Sequence, residues 1–136
     1  MSDMMQAQWA CQQTLIGFFN GLDERRFDDM LAHFAPDGVW TRQGTDLNGH
    51  AGIRAVLAER SATVVTRHLI SNMEVRVAGD SADGSAVVTI YHHDDKTGAL
   101  PAKLEPPRSI LLFKPAFAKR GGAWMITRLR SERLFA

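Results

Sequence analysis

Cysteine is nearly absent from this sequence, since Cys11 is the only one among 136 residues. One thiol cannot form an intramolecular disulfide, and it excludes a zinc site built from several cysteines. Long hydrophobic runs are missing as well, and no span approaches the roughly 20 apolar residues of a transmembrane helix. The N-terminus lacks the basic region and apolar run of a signal peptide. We therefore expect a cytoplasmic protein with no membrane association.

The chain also lacks an excess of charge of either sign. Sixteen Lys and Arg residues balance fifteen Asp and Glu residues, so the formal net charge is +1. This balance gives no electrostatic reason to bind a polyanion. The arginines near the C-terminus are separated by Leu129, Ser131 and Glu132, which fits an alternating sheet surface better than a phosphate track. We expect no nucleic-acid partner.

What remains is the composition of an ordinary globular protein, with 45% hydrophobic and 23% charged residues. No low-complexity tract or internal repeat interrupts it. A chain of 136 residues is long enough to bury roughly two-thirds of its unfolded surface. We expect residues 1–136 to form a single domain.

Apolar residues at helical spacing occur in the first half of the chain. The predicted helices are Ser2–Arg25, Phe27–Phe34 and Ala51–Arg60. Ser2 or Asp3 offers the first cap, and Asn48-Gly49 begins the third helix. The turn signal Ala35-Pro36-Asp37-Gly38 follows the second helix.

Alternating and β-branched segments dominate the second half. The predicted strands are Val39–Gln43, Val64–Val77, Ser85–His93, Arg108–Phe117 and Ala123–Leu134. A hairpin turn is predicted over Gly79–Gly84, and a long connection over Asp94–Pro107. Helices followed by antiparallel strands indicate an α+β fold. The simplest packing curls the sheet around the first helices and leaves a cone-shaped cavity between them.

Asp23 is the unusual residue of the first helix, because it falls on the apolar side between Phe19 and Ile16. A carboxylate there is costly unless it is paired, and at a helix C-terminus it also opposes the dipole. An imidazole is the best candidate partner for this carboxylate, and we expect that partner to be His68. The apolar arc contains Trp9, Cys11, Leu15, Ile16, Phe18, Phe19 and Leu22, while Thr14 and Gly21 are predicted to point away. We expect the three tryptophans to fill the core or the cavity wall: Trp9, Trp40 and Trp124.

The order α-α-β-α-β-β-β-β resembles the nuclear-transport-factor-2-like superfamily, and more closely its SnoaL-like branch. The segments that carry the likeness are Leu22-Asp23, Phe34–Trp40, Gly49-x-x-Gly52-Ile53, Thr66–Asn72 and the Gly-Ala-Trp-Met-Ile stretch near the end. The resemblance implies a cystatin-like α+β roll, in which a curved mixed or antiparallel sheet wraps around the N-terminal helices and encloses a pocket. It also implies a homodimer formed through the outer face of the sheet.

The resemblance also implies a catalytic pair. Scytalone dehydratase and a hexachlorocyclohexane dehydrochlorinase place an Asp at the end of the first helix against a His at the head of the long strand. Asp23 and His68 occupy matching positions here. His68 would be the general base and Asp23 would orient it, in an elimination or isomerisation that needs no cofactor. The expected substrate is a small apolar ring or polyketide-like compound that carries an oxygen function.

Further pocket residues are predicted around this pair. Trp40, Arg42 and Phe19 are expected to line the pocket, with Asn72 as a further candidate. Elimination also needs a group that stabilises developing charge on oxygen. Tyr91 and His93 share one strand face and His92 lies on the other, so either face could supply this group.

Simpler interpretations stand beside these. Asp23 could cap the turn after its helix, His68 could be a structural histidine, and Asn72 could bond to backbone at a bulge. The run His92-His93-Asp94-Asp95 places only two ligands on each face, so no metal site is predicted.

A structural role is the main rival to catalysis. The small subunits of ring-hydroxylating dioxygenases carry an Arg-His-x-x-Ser-Asn stretch that resembles Arg67–Asn72, and there the fold is structural. The chain could therefore be an accessory subunit, or a non-catalytic protein that binds a small apolar or aromatic molecule. A cavity filled by the chain's own side chains would indicate an accessory subunit.

Overall fold

The helices and strands follow one another in the order expected for an α+β fold. The structure is a computed structural model, and it describes residues 2–136. The helices are α1 (Asp3–Asp23), α2 (Phe27–Ala32) and α3 (Gly49–Glu59). The strands are β1 (Phe34–Arg42), β2 (Thr45–Asn48), β3 (Val65–Ala78), β4 (Ser81–His93), β5 (Ser109–Arg120) and β6 (Ala123–Phe135).

The six strands form a mixed sheet in the order β2-β1-β6-β5-β4-β3. Strands β1 and β6 are parallel, and every other neighbouring pair is antiparallel. The N-terminal helices pack against one face of this curved sheet and bury a continuous apolar core. The α+β prediction is confirmed, and the sheet is mixed.

Helix α1 has a well-defined cap at each end. The Ser2 hydroxyl accepts a hydrogen bond from the Met5 backbone N–H at 3.1 Å, as a capping serine does. At the other end Arg25 adopts a left-handed conformation with φ of 58°. The Arg26 N–H donates to the Gly21 carbonyl at 2.8 Å, which completes a Schellman motif. This motif ends the helix directly after Asp23.

The apolar arc predicted for α1 is only partly correct. Trp9 is 59% exposed, so the prediction that it packs in the core or cavity wall is wrong. Thr14 and Gly21, predicted to point away, are buried, because β6 and α2 cover a second side of the helix. The Thr14 hydroxyl lies 2.9 Å from the Ala10 carbonyl and 3.2 Å from that of Trp124.

The predicted turn at Ala35–Gly38 lies within a strand. Strand β1 begins at Phe34, and its register against β6 shifts between Phe34 and Val39. The proline and glycine therefore occupy an irregular stretch of strand, where residues that do not fit a regular ladder are tolerated. The second helix is shortened as a result and ends at Ala32.

Strand β2 was not predicted. It pairs with β1 through a two-residue turn at Gln43 and Gly44, whose φ angles are 52° and 79°. Positive φ at both central residues is typical of a type I′ hairpin turn. Gly44, which follows the short predicted strand, was the sequence signal that could have indicated this hairpin turn.

The other predicted boundaries shift by a few residues. Strand β4 begins at Ser81, so the turn predicted over Gly79–Gly84 contains only Gly79 and Asp80. Residues 94–108 form the long connection without helix or strand. Among the helices within residues 2–136, none is long and apolar enough to cross a membrane.

Candidate functional site

A cavity of about 780 Å³ lies against the inner face of the sheet, near the C-terminal end of α1. Its apolar wall includes Phe19, Leu22, Trp40, Leu111 and Phe113. Of the predicted site residues, five line this cavity: Phe19, Trp40, Arg42, His68 and His92.

Asp23 is buried at the end of α1, with its side chain 1% exposed. Its Oδ2 accepts a hydrogen bond from the His68 backbone N–H at 2.7 Å. Its Oδ1 accepts one from the Thr66 hydroxyl at 2.7 Å, and lies 2.7 Å from His68 Nδ1. Three close partners compensate a carboxylate that would otherwise be costly to bury. The Schellman motif and strand β3 together create this contact.

The His68 imidazole is held on two sides. Because both Asp23 oxygens are acceptors, Nδ1 carries the proton of the shared hydrogen bond. The ring also stacks on Phe19, with a centroid distance of 4.6 Å and an interplanar angle of 16°. Within residues 2–136 no group hydrogen-bonds to Nε2, and His68 lines the cavity. In the neutral imidazole with its proton on Nδ1, Nε2 keeps a lone pair that can accept a proton.

A hydrogen-bond chain extends this pair to α3. Arg60, the C-cap residue of α3, donates from Nη2 to the Thr66 hydroxyl at 2.7 Å. The same hydroxyl donates to Asp23, so Thr66 connects the guanidinium to the carboxylate. Thr66 lies two residues before His68 on the same strand face, and that alternation was the signal that could have identified it. The contact with Arg60 is tertiary and left no trace in the sequence.

Strand β4 presents His92 to the cavity and turns its neighbours away. Ile90 and His92 line the cavity, as expected for alternate residues of one strand, and Asp94 directly after the strand lines it as well. Burial is the main reason that the His92 pKa is lowered, and the charges of Arg108 and Arg60 add to it. A neutral imidazole is therefore favoured there.

Three predicted pocket residues lie elsewhere. Tyr91 and His93 belong to the opposite face of β4, and neither lines the cavity. His93 Nδ1 instead lies 3.2 Å from Glu105 Oε2. Asn72 is exposed at a bulge in β3, with φ of 52°. Strand alternation and the bulge therefore correct the prediction that these three residues line the pocket.

The Asp94 carboxylate accepts hydrogen bonds from neighbouring hydroxyl groups. It accepts them from Ser61 and Thr63 at 2.7 Å each, and one from the Lys96 backbone N–H at 2.9 Å. These donors, with Thr63 first, hold the Asp94 pKa well below its usual range. In the part of the chain that the structure describes, no cluster of three or more His, Cys, Asp or Glu side chains could hold a metal ion.

The family model of the SnoaL-like domain matches residues 3–130 of this chain. No curated protein is significantly similar to it in sequence. Among solved structures, a protein of unknown function from Nostoc punctiforme with a cystatin-like fold is 18% identical, with a TM-score of 0.76. The alignment covers 98% of this chain and 93% of that one.

The names of two further similar structures refer to an enzymatic activity. A protein from Novosphingobium aromaticivorans, described as a proposed aromatic ring hydroxylase, is 20% identical with a TM-score of 0.79, over 97% of this chain and 92% of that one. A hexachlorocyclohexane dehydrochlorinase is 17% identical with a TM-score of 0.77, over 98% and 88%. At these identities the likeness shows a common fold.

Proposed function

Because the chain belongs to the SnoaL-like domain family, we propose that its cavity is the active site of a lyase or isomerase that needs no cofactor. The substrate is a small cyclic compound that loses a proton from carbon. The observation that carries the proposal is the 2.7 Å contact between Asp23 Oδ1 and His68 Nδ1, which leaves Nε2 free at the cavity wall.

The chemistry begins with His68 as general base. Nε2 takes the proton from the substrate carbon, and the imidazole becomes an imidazolium. Asp23 stabilises that cation through the hydrogen bond to Nδ1, and its other partners keep the carboxylate in position. A positioned base of this kind contributes roughly 10²–10⁴ in rate.

The electron pair of the broken C–H bond has two possible destinations. In an elimination it forms a double bond and expels a leaving group from the adjacent carbon. In an isomerisation it delocalises into a carbonyl, and a proton returns at another carbon. Either path develops negative charge, which donors such as His92 and Arg42 at the cavity wall would stabilise. The dehydrochlorinase among the similar structures carries a name consistent with the first path.

The proposal is tested with 5-nitrobenzisoxazole, whose ring opens when a base removes its C–H proton and the N–O bond breaks. The phenolate product is followed by absorbance. We expect the wild-type protein to accelerate ring opening over buffer, and His68→Gln to lower the catalysed rate by about 10²-fold or more. Asp23→Asn should lower it as well, because the orientation of Nδ1–H is lost.

His93→Gln is the matched control, since it removes an imidazole from the opposite face of β4. It should keep the wild-type rate. Circular dichroism checks that each variant is folded. Equal rates for wild type and His68→Gln, or no acceleration by the wild type, would contradict the enzymatic proposal.

A non-catalytic ligand-binding protein is the second candidate, and the apolar part of the cavity wall favours it over an accessory subunit. A structural subunit would fill this space with its own side chains, whereas about 780 Å³ is open here. Saturable binding of an aromatic compound without any His68-dependent turnover would support this candidate.

A further inference from the structure

Four arginines line the cavity although the whole chain carries almost no net charge. They come from β1, the end of α3, the residue before β5, and β6: Arg42, Arg60, Arg108 and Arg133. Within residues 2–136, none of these four guanidinium groups lies within 4.0 Å of a carboxylate. The cavity therefore concentrates positive charge without a direct ion pair from the described residues to any of the four guanidinium groups.

Arg42 is the clearest case of an unneutralised charge. It is half-buried, and its guanidinium carbon lies 5.4 Å from the centroid of the Trp40 ring. The contact with the ring is favourable but does not neutralise the cation. Burial, and secondarily the charge of Arg108, lower the Arg42 pKa. Because this cation is half-buried and repelled by a second cation, a bound anion would stabilise it.

Arg60 adds a polar atom with no partner. Its Nη2 donates to Thr66, but its Nε is buried without a hydrogen bond to any group of residues 2–136. Burial is the first cause that lowers the Arg60 pKa, and the charge of Arg25 lowers it further; the Asp23 carboxylate raises it, and the charge of Arg42 lowers it. Buried N–H groups nearly always have an acceptor, so Arg60 is an incompletely paired cation at the cavity wall.

Asp94 does not supply that acceptor. It is the acidic side chain that lines the cavity, and the hydroxyls of Ser61 and Thr63 already occupy its two oxygens at 2.7 Å each. Asp23 is likewise occupied by Thr66 and His68. Among residues 2–136, Asp23 acts on Arg60 only at longer range and through Thr66, and neither carboxylate forms an ion pair with the four arginines.

We propose that the compound bound in this cavity is an organic anion, with an aromatic or cyclic body against Phe19 and Trp40 and a carboxylate against Arg42 and Arg60. A carboxylate accepts from guanidinium N–H groups in the bidentate geometry that arginine favours. The inference deepens the proposed function, because it states the charge of the compound on which His68 would act.

Isothermal titration calorimetry tests the inference with two probes that have similar shapes but different charges. The probes are 1-naphthoate and its neutral analogue 1-naphthamide. We expect the wild-type protein to bind naphthoate at least 10-fold more tightly than naphthamide. Raising NaCl from 50 to 500 mM should weaken naphthoate binding and leave naphthamide binding unchanged.

Arg42→Gln should weaken naphthoate binding by about 10- to 100-fold and leave naphthamide binding as it was. Arg130→Gln is the matched control, because it removes an exposed arginine from β6 that does not line the cavity. It should bind both probes like the wild type. Thermal unfolding of each variant checks that the fold is intact.

Equal affinity for the two probes would overturn the inference, as would an unchanged naphthoate affinity in a folded Arg42→Gln protein. 1-Naphthyl phosphate is the third probe, and binding of it 10-fold tighter than naphthoate would overturn the assignment of a carboxylate. The binding result does not depend on turnover. His68→Gln should still prefer naphthoate over naphthamide, so failure of the catalytic proposal would be recognised separately.

Discussion

At the scale of single residues, the candidate site depends on a hydroxyl group as much as on its histidine. Thr66 is 6% exposed, and its one oxygen accepts from Arg60 and donates to Asp23. Both partners are charged, and the Asp23 side chain is buried from water. A hydrogen bond to a charged group is stronger than a neutral one, and a buried partner left without it loses its solvation.

Thr66→Val keeps the shape of the side chain and removes the hydroxyl. We expect the free energy of unfolding to fall by about 1–3 kcal/mol, because Arg60 loses an acceptor and Asp23 loses a donor. Guanidinium denaturation measures the change. Thr41→Val is the control, since the Thr41 hydroxyl donates to an exposed Asp46 at 2.6 Å and its loss should cost within about 0.5 kcal/mol. Equal costs for the two variants would show that Thr66 does not support the site.

The same scale shows what a sequence can and cannot reveal about this site. Asp23 was predictable because a charge on the apolar side of a helix breaks the local pattern. His92 could be placed on a strand but not on a face of the fold, since one residue of register exchanges the faces. Arg60 broke no local pattern, because an arginine at a helix end is ordinary, and only the folded chain brings it to Thr66.

At the scale of helices and strands, local patterns predicted the kinds of element better than their partners. The long helix and the four long strands follow from periodicity and β-branched residues. The parallel pairing of β1 with β6 joins segments some 90 residues apart, and no local signal encodes it. Pro36 and Gly38 indicate a turn by themselves, whereas pairing with β6 and β2 draws their segment into a strand.

The close packing of α1 against α2 leads to a prediction about the stability of a glycine variant. A Cβ added at Gly21 would lie 2.7 Å from Met30 Cβ and 2.8 Å from the Met30 backbone N and Cα. Alanine favours a helix over glycine by about 1 kcal/mol, but overpacking typically costs about 1–3 kcal/mol. We expect Gly21→Ala to lower the melting temperature, because the backbone of α2 must move.

Gly17→Ala is the matched control, one turn earlier on the same helix. An added Cβ there would meet the imidazole of His33, a side-chain end that can move aside more easily than backbone. Its melting temperature should fall by less. If Gly21→Ala proved at least as stable as Gly17→Ala in thermal unfolding, α1 and α2 would not be in close contact.

At the scale of the whole molecule, the two faces of the sheet differ in what covers them. Helix α1 contacts β3 and β6, and residues of β3–β6 on the same face line the cavity, while alternate residues point outward. One outward row crosses all four strands and is largely apolar: Leu69, Thr89, Ile110 and Phe135. Leu69 is 51% and Phe135 is 67% exposed. Exposed apolar side chains that lie side by side on a sheet can mark an interaction site.

We propose that a second copy of the chain covers this row, as the sequence resemblance implies for the outer sheet face. Sedimentation velocity between 1 and 100 μM should then give the mass of a dimer. Leu69→Lys should shift the population toward the monomer, because the association would bury a charge on an apolar surface. Trp9→Gln is the matched control: Trp9 is 59% exposed, but it lies on α1. A Trp9→Gln protein should remain dimeric. A wild-type monomer at 100 μM would contradict the proposal, and dissociation by Trp9→Gln but not by Leu69→Lys would transfer the interface to the helix.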